Sequence, residues 1–213
     1  MESVAVEPII VLHLGCQHKK TPEALGLVAR DANGGTIQRP IQMINLDMNP
    51  HVEPDILCTL GKEPIPLEDN SIDLVIANHV LEHIGDHAGD VTAWFHFWSE
   101  VYRVMRPGGA LKFECPYYSS LWAWADPTHV RAISEMTFLY LNQDAYRSPG
   151  SSIPDYRPNF DFWSFDPRTG RQGELEIIPD HTNEGVRQKE AVSFIRGTLV
   201  ARKPLRPYWE DAQ

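Results

Sequence analysis

Residues 71–80 read SIDLVIANHV. The run follows the turn residues Glu68-Asp69-Asn70 and is nearly continuous in apolar side chains. A strand with one wet face would alternate. A run that does not alternate predicts a strand covered on both faces, as at the centre of a parallel sheet. Residues 9–15 (IIVLHLG) form a similar strand that ends in glycine, residues 42–48 (QMINLDM) another that carries Asp47 at its end, and residues 54–60 (PDILCTL) a short one. Downstream, residues 90–105 (DVTAWFHFWSEVYRVM) set Trp94, Phe97, Trp98, Val101, Val104 and Met105 on one helical stripe, capped by Asp90 and stopped by Pro107-Gly108-Gly109.

The remaining segments fit the same pattern. Residues 22–31 (PEALGLVARD) predict a short helix with Pro22 in its first turn, stopped by Asn33-Gly34-Gly35. Residues 110–116 read as a strand, 133–141 as a helix, and 174–179 and 191–202 as two late strands. Strands alternating with helices, then two strands together, predict an α/β fold with a mostly parallel sheet and an antiparallel edge. Residues 142–172 stand out as an irregular, proline-bearing insertion in one domain spanning 1–213. Its aromatic run Asp155-Tyr156-Arg157-Pro158-Asn159-Phe160-Asp161-Phe162-Trp163 either closes over a pocket as a lid or covers the sheet edge.

Bulk properties narrow the function. The net charge is −10, and residues 1–140 carry 9 Lys/Arg against 18 Asp/Glu. Non-specific grip on nucleic acid comes from neutralised phosphates, so an acidic body makes such a partner unexpected. No apolar run approaches the ~20 residues that span a bilayer. The start MESVAVEPII lacks the basic region of a secretory signal. Cys16, Cys58 and Cys115 are odd in number and widely spaced, which suits free thiols in a cytoplasmic protein.

In order, IIVLHLGC, INLDMNP, PDILCTL, EPIPLEDNSIDLVIANHVLEHI and EVYRVMRPGGALKFECP resemble the class I S-adenosylmethionine-dependent methyltransferases, closest to a small bacterial and phage type. The resemblance covers residues 9–116, and Ala125-Asp126-Pro127-Thr128-His129-Val130 resembles a later step of the same group. It implies a Rossmann-like, seven-stranded sheet whose last strand is antiparallel, with helices on both faces. The ligand would then sit beyond the carboxyl ends of the strands, where the strand order reverses.

That resemblance gives site residues. Gly15 would let the backbone approach the cofactor, Asp47 would hold its ribose, and Asp55 with Ile56 would border adenine. Asn78 and His79 would lie near the reacting methyl. The family usually has Gly-Cys-Gly where this chain has Gly15-Cys16-Gln17. A left-handed residue 17 would cost roughly 1 kcal/mol or more without glycine, although Gln17, Lys19 or Lys20 could reach the cofactor carboxylate. Asp47 could equally be a turn former, Asp55 a strand cap. His129 oriented by Asp126 is a candidate base, and Tyr117 faces the same mouth by position. His79, His83 and His87 are spaced four apart, but Gly85 breaks the run and Leu-Glu-His-Ile belongs to the family pattern without metal, so none is expected.

The expected activity is methyl transfer from S-adenosylmethionine to a small-molecule, sugar or protein acceptor, and a homodimer is compatible with the sequence. The alternative is a methyltransferase fold without catalysis, acting as a cofactor-binding regulator or a scaffold subunit. A nicotinamide dehydrogenase would want Gly-x-Gly-x-x-Gly where residues 15–20 read GCQHKK.

Overall fold

The structure is a computed structural model and describes residues 6–27, 39–87, 91–143, 159–164, 175–179 and 192–205. Its sheet runs β3-β2-β1-β4-β5-β8-β6, with β7 also pairing β8. The strands are β1 (Ile9–Leu14), β2 (Ile41–Asp47), β3 (Ile56–Leu57), β4 (Ile72–Asn78), β5 (Met105–Pro116), β6 (Phe162–Ser164), β7 (Glu176–Pro179) and β8 (Val192–Ala201). β1 through β5 pair parallel, and β8 lies antiparallel to β5. β6 meets residues 199–201 of β8 and β7 meets residues 192–196. Two short strands therefore share one edge of β8, and eight strands fill the seven positions the sequence predicts.

The strand from residue 71 is central, as its lack of alternation requires. β4 lies between β1 and β5, and Val75, Ile76 and Ala77 are buried. Helix α1 (Thr92–Val104) packs its stripe of Trp94, Phe97, Trp98, Val101 and Val104 into the same core. The helix stops at Met105, and the residues around Pro107-Gly108-Gly109 bulge out of β5, where the register jumps from Ile72↔Met105 to Leu74↔Ala110. Asp90, expected as its cap, lies outside the described residues. No helix among the described residues is long and apolar enough to cross a membrane.

Arg103 ties α1 to the loop before β4. Its guanidinium donates to both oxygens of Glu100, to Asp69 Oδ1, and to the carbonyls of Leu67 and Ile65, at 2.7–2.9 Å. All five N–H donors are thereby used. The Glu100 carboxylate raises the Arg103 pKa further above its usual range.

Two expectations change. The helix expected over residues 22–31 is a single 3-10 turn, Glu23–Leu25, because Gly26 adopts a left-handed φ of 63° and turns the chain; residues 28–31 lie outside the described residues. The helix of 133–141 shortens to α3 (Glu135–Leu139), whose N-terminus is fixed by Ser134 and Thr137 bonding each other's backbone. A short helix that the pattern did not reveal, α2 (Trp122–Ala125), follows β5.

Within residues 142–172, Phe160 and Phe162 are fully buried, Phe162 edge-on to Trp98 and Tyr102. This part of the aromatic run covers the sheet edge, while residues 155–158 lie outside the described residues. Phe162→Ala is expected to lower the unfolding free energy by roughly 3–5 kcal/mol, the cost of emptying a core aromatic site. Denaturant titration reads it, and a loss below about 1 kcal/mol would mean that the segment does not belong to the core.

Candidate functional site

The strand order reverses between β1 and β4, so their ends open a crevice. β1 runs into Gly15, whose φ is 59°. A Cβ there would stand 2.8 Å from Val80 Cγ2, closer than side-chain carbons approach. Glycine thus permits both the turn and the contact of the two loops. Gln17 is left-handed as well, at φ 46°. Both glycine positions of the expected turn keep a glycine-like backbone, and the second holds an amide side chain.

Asp47 stabilises that turn. Gln17 N donates to its Oδ2 at 3.0 Å and Asn49 N to its Oδ1 at 2.9 Å. An ionised carboxylate has about four lone-pair sites, so acceptor capacity remains for two hydroxyls. Gly15, Gln17 and Asp47 line one cavity of about 420 Å³ with Leu60, Val80 and His79. His79, just past β4, is also left-handed, at φ 54°. Two of the strained non-glycine residues therefore face this cleft, and such strain concentrates at functional sites.

His79 borders a second cavity, of about 600 Å³, with Trp122, Asp126, His129 and Phe194. Its Nδ1 lies 3.4 Å from Glu82 Oε1 and its Nε2 lies 3.8 Å from Glu114 Oε1. The Glu82 carboxylate raises the His79 pKa above the ordinary imidazole value, against the effect of burial. His129 Nδ1 faces the Ala123 carbonyl at 3.3 Å. A carbonyl only accepts, so Nδ1 carries the proton and Nε2 keeps the lone pair. Asp126 Oδ2 lies 3.8 Å from that Nε2, while Asp126 Oδ1 accepts from the Thr128 amide and hydroxyl. The Thr128 bonds hold the Asp126 carboxyl below its usual pKa.

Residues 14–113, which hold the first cavity, match the family model described as a methyltransferase domain. Those residues therefore carry a methyltransferase domain. No curated protein matches the sequence. Solved structures match in fold. A chain from the Haloferax volcanii complex of the Trm112 methyltransferase activator with a methyltransferase is 15% identical, with a TM-score of 0.56 over 94% of this chain and 86% of that one. The N-methyltransferase NodS from Bradyrhizobium japonicum WM9, solved with S-adenosyl-L-homocysteine, is 13% identical, with a TM-score of 0.53 over 92% and 79%. The cyclase SpnF is 15% identical, with a TM-score of 0.52 over 95% and 78%. The fold alone therefore leaves the reaction open.

Other expected residues of the methyltransferase domain lie elsewhere. Asp55 Oδ2 accepts from Asn45 N at 2.7 Å and from Asn45 Nδ2 at 3.0 Å, tying β2 to the start of β3. Ile56 pairs with Leu46 in the sheet. Neither lines the cleft, nor does Asn78, which is exposed at the end of β4. Lys20 Nζ donates to the Glu53 carbonyl. The Tyr117 hydroxyl donates to Glu135 Oε2 at 2.7 Å, and burial helps push its pKa up to about 12. His79, His83 and His87 share no helix: a 3-10 turn, Leu81–His83, follows β4, and His87 turns to the Pro127 carbonyl. Phe194 was not expected; it arrives from β8 and no local signal in the sequence marks it.

Two predictions follow from this geometry. Gln17→Gly is expected to shift stability by less than about 1 kcal/mol, because relieved strain offsets the extra entropy of unfolded glycine. Gln17→Val, with its branched Cβ, should cost about 1–2 kcal/mol; equal effects in denaturant titration would mean that residue 17 is not left-handed. The second concerns His13 in β1, buried behind the loop with no partner for Nδ1 among the described residues. Burial lowers its pKa from 6.5, against smaller upward pulls from the Lys19 backbone and the Asn45 side chain. The unfolded chain therefore takes the proton first, so this contribution is full above pH 6.5 and is lost as pH falls below it. In His13→Gln the decline of unfolding free energy from about pH 7 to about pH 5 should be shallower than in the parent protein.

Proposed function

We propose that this methyltransferase domain binds S-adenosylmethionine in the cleft of Gly15, Gln17 and Asp47 and transfers its methyl group to an acceptor in the second cavity. The observation that carries this reading is the shared wall: His79 borders both cavities, so a methyl group beside it would face an acceptor entering past Trp122. Asp47 would hold the ribose hydroxyls. Asp55 and Ile56 would support the adenine side through β2 and β3, and Asn78 would set the position of His79. The acceptor's nucleophile attacks the methyl carbon as the carbon–sulfur bond breaks, with the bond's electron pair left on sulfur. Proximity and alignment supply much of the rate. Where the nucleophile carries a proton, His129 Nε2 would receive it, with the Ala123 carbonyl orienting the ring, Asp126 stabilising the imidazolium that forms, and Tyr117 fixing the wall through Glu135. The acidic body favours a small-molecule, sugar or protein acceptor over nucleic acid.

The second reading, a cofactor-binding regulator or scaffold without catalysis, draws on Gln17, whose side chain enters a turn that glycine usually leaves bare. Calorimetric titration with S-adenosylmethionine and S-adenosylhomocysteine separates the two. Saturable binding is expected, weakened about 10-fold or more in Asp47→Ala, because hydrogen bonds to a charged group contribute about 1.5–3 kcal/mol. Absence of binding at millimolar ligand would hand the case to the scaffold.

A further inference from the structure

Glu82 stands apart among the acidic residues. It follows β4 in the 3-10 turn, and it is 1% exposed. Neither of its carboxylate oxygens receives a hydrogen bond among the described residues. A buried carboxylate without hydrogen bonds is costly unless a cation compensates it. His79 approaches only Oε1, at 3.4 Å, and is itself half exposed.

Two imidazoles converge on the same carboxylate. One donor atom from each of Glu82, His83 and His129 lies within 4.8 Å of the others. The rings of His83 and His129 meet edge to face, with centroids 4.7 Å apart. His83 Nδ1 faces the Thr128 carbonyl at 3.3 Å and Thr128 Oγ1 at 3.2 Å. That hydroxyl spends its own proton on Asp126 Oδ1. Both atoms near His83 Nδ1 are thus acceptors, so the ring's proton sits on Nδ1 and its lone pair on Nε2. His129 is fixed the same way by the Ala123 carbonyl. A ring that donates one N–H to a carbonyl and offers the other nitrogen is the usual arrangement of a metal-bound histidine. The loop that carries His129 is held in place, since Val130 N and Arg131 N both donate to the Glu82 carbonyl, at 2.9 and 3.2 Å.

We propose that Glu82, His83 and His129 form a binding site for a divalent transition-metal ion, with His129 on the wall of the acceptor cavity and His83 on that of the cofactor cleft. Two imidazoles and one carboxylate suit zinc, manganese or ferrous iron better than magnesium or calcium. Donors 2.0–2.1 Å from one ion stand about 3.4 Å apart in a tetrahedron, so the side chains must close by roughly 1 Å. The site deepens the methyl-transfer reading and rests on it for its function. Its open position faces an oxygen-bearing acceptor, such as a catechol-like diol or a carboxylate-flanked hydroxyl. On coordination the hydroxyl's proton leaves to water, and the oxygen then attacks the methyl carbon while the sulfur keeps the electron pair of the broken bond. A single nitrogen cannot both bind the ion and accept that proton, so ion binding replaces His129 as base.

The test uses the full chain, stripped with a chelator and titrated with Co²⁺, Zn²⁺ and Mn²⁺ by visible absorption and calorimetry. One equivalent is expected to bind, with the visible bands of low-symmetry Co²⁺ coordination. Glu82→Gln and, as a loop variant that spares the core, His129→Asn should each weaken binding by roughly 10-fold or more. His51→Asn, an exposed imidazole outside the cluster, should not. Absence of saturable binding, or equal affinity in the parent protein, Glu82→Gln and His129→Asn, would overturn the proposal. S-adenosylhomocysteine titrated into the same stripped sample reads the cofactor cleft separately, so failure of either reading is visible without the other.

Discussion

The contact between Gly15 and Val80 governs the rest of the molecule. β1 and β4 pair in parallel, Leu12 opposite Val75 and Leu14 opposite Ala77, and both are buried. Their chains must leave the sheet at the same end. They can do so side by side only because one of them has no Cβ there. From this approach come the crevice at the reversal of strand order, the left-handed turn at Gln17, and the position of His79 between two cavities. A side chain at residue 15 would push the two loops apart and open the cleft at its narrowest point.

The sheet was largely legible because its signals are local and strong. An apolar run such as 71–80 can be satisfied only by cover on both faces, and the ordered motifs of residues 9–116 fixed the sequence of elements. The far edge was less legible. β7 falls within the strand expected over 174–179, but β6 is three residues long, too short for a periodicity, and exists because β8 offers ten residues to pair with. The helix expected over residues 22–31 failed at Gly26, where a permissive residue turned a moderate helical pattern.

Of the site, the backbone features were readable and the side-chain partnerships were not. Gly15 and Asp47 declare themselves by place in a strand–turn pattern. That Asp55 serves Asn45, or that Tyr117 serves Glu135, depends on which neighbour tertiary packing supplies. The histidines show the limit most clearly. Spacing by four would align His79, His83 and His87 only on an unbroken helix, which Gly85 precludes, and the imidazole that meets His83 is His129, delivered by a loop that the Glu82 carbonyl anchors. No count along the chain reveals that meeting.

The three cysteines carry a different consequence. All are buried free thiols, and burial raises the pKa of each, Cys115 most. The thiolate is the form that peroxides and electrophiles attack. Burial thus makes these sulfurs poorer nucleophiles in the folded chain, although Cys58 lines the cleft and Cys16 sits beside it. Oxidants would find Cys115, in the middle of the sheet, when the sheet opens, which makes its oxidation a record of past unfolding rather than a signal in its own right.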